Sequence, residues 1–415
     1  MANTPRLRRI IGVAVLSVSL VVTGAIVGPS WAVPSYPSWA DVQAAKRNVT
    51  KKRELIARFN TILADQARQE TALAKAAQIL GEKYNEAKDA LDVVAAKVAT
   101  LQGQADEANA QAQAAKTHLG QIAAQMYRNG VSGSGISMLL ESGKADHLLY
   151  QLGSTDRLAK QNDTIYRKSV ERQRYAQSVT DQLNVAKVDM ATKTKAAKAL
   201  FSQANAAATD LQNKIDVNKA AQQTFYAQLA VLQHTSATLE RQRAEGLAAE
   251  ARQNAGTSKP VAPELYQVGD PNDREVNIAI DFASEQLGER YVLGGMGPNV
   301  WDCSGITKAA YAAAGIYIGT HSATNQFYQM AARRKLVPLS QAVKGDLMWY
   351  SQSSSFNGDK YHVVIYLGND MMLEAPNPAR PVRIVPLRYG ELFPCLLYTS
   401  PSPRDRSVSR MPSSA

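Results

Sequence analysis

The stretch of this sequence best suited to chemistry is a glycine-rich turn that delivers a cysteine to the start of a helix. Residues 291–305 read YVLGGMGPNVWDCSG. Gly294, Gly295, Gly297 and Pro298 stop any strand begun at Tyr291. Asp302 is of the type that caps helices, and Ile306, Ala309, Ala310 and Ala313 then recur at helical spacing until Gly315. Cys303 is thereby predicted in the first helical turn, where unpaired N–H groups and the positive end of the helix dipole favour thiolate over thiol. A free cysteine is also a common buried structural residue, so its downstream company decides. Residues 361–375, YHVVIYLGNDMMLEA, read as a β-hairpin: His362 opens a β-branched run, 368–370 supply the turn, and 371–375 return. With that loop, His362 faces position 376 and Glu374 lies diagonally beside it on the same sheet face. A lone strand histidine is more often structural. Cysteine at a helix start, histidine on a strand and a carboxylate to orient the imidazole form a nucleophile, base and orienter, assigned to Cys303, His362 and Glu374.

Four segments carry a family resemblance: Tyr291 with Gly294-Gly295, Asp302-Cys303-Ser304-Gly305, Gly345-Asp346-Leu347, and His362-Val363 followed by Gly368-Asn369. Together they resemble the NlpC/P60 cysteine peptidases, papain-like hydrolases of peptidoglycan stem peptides, in particular the actinobacterial secreted endopeptidases, in which Glu is the usual third residue. The resemblance covers roughly residues 273–394. It implies Cys303 as nucleophile, His362 as base and Glu374 as third polar member, with Tyr291, Asp302 and Ser304 lining the substrate site. It further implies peptidoglycan as partner, hydrolysis of the D-γ-glutamyl–meso-diaminopimelate bond, and a role in wall remodelling or daughter-cell separation. Leu293 and Trp301 depart from the frequent Trp and Phe, both apolar exchanges. No cofactor is expected, and no metal, because no His/Cys/Glu cluster has zinc spacing. The triad alone does not choose the substrate, so an amidase or acyltransferase of the same fold stays open. So does a coil-based activator or scaffold with an idle domain.

The elements that must position these residues follow from the rest of the chain, whose 415 residues leave room for two or three domains. Residues 1–32 read as a secretory signal, with Arg6, Arg8 and Arg9 before an apolar run and Ser30-Trp31-Ala32 at the cleavage position; an uncleaved anchor is the alternative. The chain is expected to be secreted, at the cell envelope or wall. A net charge of +11, spread without blocks, suits an anionic envelope. The absence of a phosphate-binding loop or nucleic-acid motif argues against nucleic acid. Of the two cysteines, Cys303 and Cys395, a disulfide would silence the nucleophile.

Residues 38–252 contain no proline, and Leu80, Tyr84, Ala87, Leu91, Val94, Val98 and Leu101 open a sustained heptad pattern. A register slip near Leu73 fits a stutter. A break at 130–135 divides the run, giving a long α-helical antiparallel coiled-coil hairpin followed by an α+β papain-like domain at 273–394. The tip, 126–161, combines Tyr127-Arg128-Asn129-Gly130 with Ser137-Met138-Leu139-Leu140. It resembles the coils of wall hydrolases and activators controlled by the division ABC-transporter-like complex, which implies that complex as a membrane partner. Residues 253–272 form a polar linker, and the coil is expected to fold back and block the groove over Cys303. His321 is expected to line the groove at most. Residues 395–405, CLLYTSPSPRD, back-translate into a transposon-end sequencing adapter. The tail 395–415 is therefore expected to be non-native, leaving the domain without its family's final strand.

Overall fold

The computed structural model describes residues 36–128, 145–254 and 273–397. The expected signal segment, the break in the coil and most of the linker lie outside the described residues, as does the tail beyond 397. Two long helices, α2 (Val49–Arg128) and α3 (Ala145–Gln233), form the coil, flanked by α1 (Trp39–Ala45) and α4 (Ala237–Asn254). They run antiparallel: Gln222 donates to Gln66, Asn218 to Glu70 and Lys187 to Gln102, so partner numbers fall as chain numbers rise. Leu101, Ala105, Val179, Leu183 and Ala186 fill one stretch of the seam, and Phe59, Phe225, Leu229 and Leu232 its base. The heptad reading of 38–252 missed two breaks. Asn48 accepts the Lys51 N–H at the start of α2, and Ser236 accepts the Leu239 N–H at the start of α4, after His234 with φ 56°. Side-chain caps of this kind end helices without proline. Among the described residues no helix is long and apolar enough to cross a membrane.

The second unit is α+β. Helices α5 (Asp273–Glu285), α6 (Cys303–Ala313) and α7 (Ala323–Ala332) accompany a short parallel pair, β1 (Arg290–Tyr291) and β2 (Val300–Trp301). The main sheet contains β3 (Leu336–Pro338), β4 (Leu347–Ser351), β5 (Lys360–Gly368), β6 (Met371–Glu374), β7 (Arg383–Pro386) and β8 (Cys395–Leu397). Its order is β3-β8-β4-β5-β6-β7, antiparallel throughout. Alternation along β4 and β5 sends Trp349, Val363 and Ile365 into one core, with Ile306, Tyr311 and Phe327 from the helices. Met348, Tyr350 and Val364 face the other way, where Ile79 of α2 joins Leu387 and Leu392.

One expectation is corrected here. The hairpin loop is Asn369-Asp370, with φ 50° and 55°, rather than 368–370, and a bulge places Gly368 opposite Met371. Left-handed Asn and Asp suit a two-residue hairpin turn, and the bulge restores the register Ile365↔Leu373, which keeps His362 diagonal to Glu374. Residues 395–397 of the tail expected to be non-native form β8, whose backbone pairs with β3 and β4.

Candidate active site

Asp302 builds the turn that presents the nucleophile. Its extended backbone (φ −111°, ψ 179°) makes it the N-cap of α6, and Oδ1 accepts the Gly305 N–H at 2.7 Å. Oδ2 accepts the Gly294 N–H at 3.0 Å, while its own N–H donates to the Gly295 carbonyl at 2.9 Å. One carboxylate thus ties the glycine turn to the helix start. A side chain at Gly305 would overlap the Gly295 carbonyl oxygen, so only glycine permits this approach. Cys303, unpaired and buried, follows directly.

His362 lies on β5. Its Nε2 lies 2.9 Å from Glu374 Oε2, and with Glu374 ionised Nε2 carries the proton and donates. Its Nδ1 is buried with no hydrogen-bond partner. The N–H groups of Val363, next in sequence, and of Ser304 point at the Cys303 sulfur. The structure therefore pairs His362 with Glu374 and sets Val363, the next residue of β5, against the Cys303 sulfur. Two residues that sequence reasoning missed complete the cluster. Arg383, opposite Glu374 in the β6–β7 register, donates to Oε1 through Nε at 3.0 Å and Nη2 at 2.8 Å. Arg388 spans both oxygens at 2.9 and 2.7 Å.

The predicted substrate residues are also adjacent. Ser304 Oγ lies 3.3 Å from Asp302 Oδ1, and Tyr291 is buried close enough for Asp302 and Cys303 to add to the rise that burial imposes on its hydroxyl pKa. His321 does more than line a groove: its Nε2 sits 2.7 Å from Asp302 Oδ1 and braces the cap.

Residues 288–391 match the family model described as NlpC/P60 family. This chain carries an NlpC/P60 domain. The peptidoglycan endopeptidase RipA of Mycobacterium tuberculosis is 35% identical to it over 100 residues, covering 24% of this chain and 19% of RipA. RipB of the same species is 34% identical over 132 residues, covering 29% of this chain and 51% of RipB. The probable endopeptidase p60 of Listeria monocytogenes is 39% identical over 93 residues, 22% of this chain and 17% of p60. The chain thus spans at most about half the length of these relatives. Among solved structures, RipB of M. tuberculosis aligns at 26% identity over 39% of this chain and 86% of that chain, with a TM-score of 0.27.

The NlpC/P60 domain does not stand open. Asn85 of α2 donates to Asp302 Oδ2 at 3.0 Å and to Ser304 Oγ at 3.3 Å. Glu82 accepts from Ser322 Oγ at 2.6 Å and from the Thr324 N–H at 3.0 Å, at the start of α7. Gln78 donates to the Pro376 carbonyl at 2.5 Å, Lys75 pairs with Glu391, and Asp89 accepts from Thr320. Tyr84 lies against Gly294. Residues 75, 78, 82, 85 and 89 recur every three or four positions. At 3.6 residues per turn they form a stripe on the side of α2 opposite Leu80, Leu91 and Val94. The sequence held a signal for this stripe in the polar heptad positions Glu82 and Asn85, but a solvent-facing coil surface has the same composition.

This cover reverses one electrostatic expectation. Burial, with the Asp302 and Glu82 carboxylates alongside, pushes the Cys303 thiol well above its ordinary value, and the Val363 and Ser304 N–H groups do not offset it. Burial likewise lowers His362 against the opposing pull of Glu374. Burial alone would raise Glu374, but Arg388 and His362 outweigh it and hold the carboxyl well below its usual range. Both shifts favour the uncharged forms, thiol and imidazole.

Proposed function

We propose that this protein is a secreted cysteine endopeptidase of peptidoglycan stem peptides, held closed by its own coiled coil. The bond is the one between D-glutamate and meso-diaminopimelate. What supports the reading is the pairing of His362 Nε2 with Glu374, which leaves Nδ1 unpartnered, together with Cys303 at a helix start, whose sulfur receives the N–H of Val363, the residue after His362. His362 Nδ1 removes the Cys303 proton and the thiolate attacks the stem-peptide carbonyl. Backbone N–H groups at the start of α6 receive the oxyanion, the protonated imidazole returns its proton to the leaving amine, and water then hydrolyses the thioester. The Asp302–Ser304 edge and the start of α7 bind the stem peptide, and these are the positions Asn85 and Glu82 occupy.

The composition of residues 1–32 supports export to the cell envelope, and the sequence around the coil tip supports a membrane division complex as the partner that lifts the coil. The test is muropeptide digestion by the full chain carrying Glu82→Ala and Asn85→Ala, beside the same protein with Cys303→Ala. Products split between D-glutamate and the diamino acid, lost in the Cys303 variant, support the reading. Products split at the sugar–peptide amide would instead establish an amidase. No turnover by folded, opened protein would leave a scaffold.

A further inference from the structure

We infer that Arg388, backed by Arg383, is a positioning residue of the catalytic centre: it holds the Glu374 carboxylate in the one orientation that receives the His362 Nε2 proton. The inference rests on the reading of His362 as the base.

Glu374 ends β6 and is fully buried. Every contact to Oε1 is a guanidinium N–H, two from Arg383 and one from Arg388. Oε2 accepts Arg388 Nη2 at 2.7 Å and His362 Nε2 at 2.9 Å. A carboxylate offers about four lone-pair directions. The two-point grip of Arg388 fixes the carboxylate plane, as planar guanidinium–carboxylate pairs do. One direction on Oε2 is then left for the imidazole.

Arg388 braces the histidine from a second side. Its guanidinium lies 5.2 Å from the centre of the Tyr350 ring. Tyr350 is the cross-strand partner of His362, with their rings 5.7 Å apart. His362, Glu374, Arg388 and Tyr350 therefore close a ring of contacts, buried but for the arginine's partly exposed side chain. The charged and titratable groups facing His362 are Tyr350 from β4, Glu374 from β6, Arg383 from β7 and Arg388 beyond it.

This arrangement does two things to the base. It fixes the Nε2–H tautomer, which leaves the lone pair on Nδ1, the ring nitrogen that Glu374 does not hold. It also offsets the charge of Glu374 with two cations, so the carboxylate orients the imidazole without holding it as imidazolium. A lysine would supply the charge but not the fork.

The experiment is nitrogen-15 NMR of the histidine rings in the full chain, which reads tautomer and titration without turnover. The His362 signal is assigned by its loss in His362→Gln. The wild type should show the Nε2–H tautomer. Arg388→Met should show mixed tautomers and a titration midpoint moved to higher pH. Arg388→Lys should keep the midpoint while mixing the tautomers. In the Glu82→Ala, Asn85→Ala background, Arg388→Met should lower kcat by about 10- to 100-fold, as loss of an outer hydrogen-bonding partner does, with KM little changed. A folded Arg388→Met protein with a pure Nε2–H tautomer and an unmoved midpoint would overturn the inference. If circular dichroism shows that Arg388→Met does not fold, Arg383→Met and Arg388→Lys take its place, and wild-type tautomers in both would overturn it equally. Because this readout is independent of hydrolysis, its failure is distinct from failure of the proposed activity.

Discussion

Asn85, midway along a coiled-coil helix, donates its amide to Asp302, the residue that caps the helix of the catalytic cysteine. The two are 217 residues apart in sequence. Asp302 and Ser304 cannot meet a peptide while they hold Asn85. A buried hydrogen bond to a charged group contributes about 1.5–3 kcal/mol. Replacing Asn85 and Glu82 by alanine should therefore raise muropeptide hydrolysis by the full chain at least tenfold. Unchanged activity, with the fold intact by circular dichroism, would remove α2 as the block.

Gly81 provides a route to the same end that leaves every polar side chain of α2 unaltered. A Cβ there would sit 3.1 Å from Leu293 Cδ1 and 3.6 Å from the Tyr291 hydroxyl. Gly81→Leu should wedge α2 off the domain and raise the alkylation rate of Cys303 by iodoacetamide, followed by peptide mass spectrometry. An alkylation rate equal to wild type would show that the helix accommodates the bulk.

The docked state should depend on pH. Burial raises Glu82 well above its ordinary 4.5, and Glu86, facing Asp359, Asp89 and Lys83, moves in the same direction. A carboxyl raised on docking adds stability that is complete below its undocked value and is lost as pH rises through the docked one. Docking should thus weaken as pH climbs above about 4.5. Cys303 alkylation should rise with pH faster than thiol ionisation explains, and Glu82→Gln should remove the excess. A Glu82→Gln profile parallel to wild type would contradict this.

Glu374 has the opposite sign. Its carboxyl is held low, so its contribution is present above 4.5 and is lost as pH falls through the depressed value. His362, also lowered, adds to acid sensitivity because below 6.5 the unfolded chain binds a proton that the folded one resists. Removing one member of a buried ion cluster costs about 3–5 kcal/mol. Both arginine side chains are a quarter or more exposed (26% and 30%), which favours the lower end. Glu374→Gln should therefore cost about 3 kcal/mol at neutral pH, and the gap to wild type should narrow on acidification. Denaturant titrations at pH 7 and pH 4 measure it, and a constant gap would refute the electrostatic account.

The positions of Cys303, His362 and Glu374 were legible because each obeys a local rule. Asp302 is a cap, the glycines permit a close turn, and strand parity puts His362 and Glu374 on one face. The seam was legible through heptads. Arg383 and Arg388 were not, since recognising them requires knowing where β7 lies, and its residues are only partly buried. The stripe at 75–89 was hidden for a different reason: polar residues on the outside of a coil look solvated until another unit lands on them. The thiolate expectation failed because the dipole at the start of α6 acts on a buried sulfur beside the Asp302 and Glu82 carboxylates.

The stripe on α2 runs parallel to the helix axis for about 20 Å at 1.5 Å per residue, half a turn from the seam. Contacts strung along one line do not peel one after another: a roll of the hairpin about its own axis carries Lys75, Gln78, Glu82, Asn85 and Asp89 off together. Release would then have a single degree of freedom: α2 would leave the domain like a turned key, with torque rather than tension as the input.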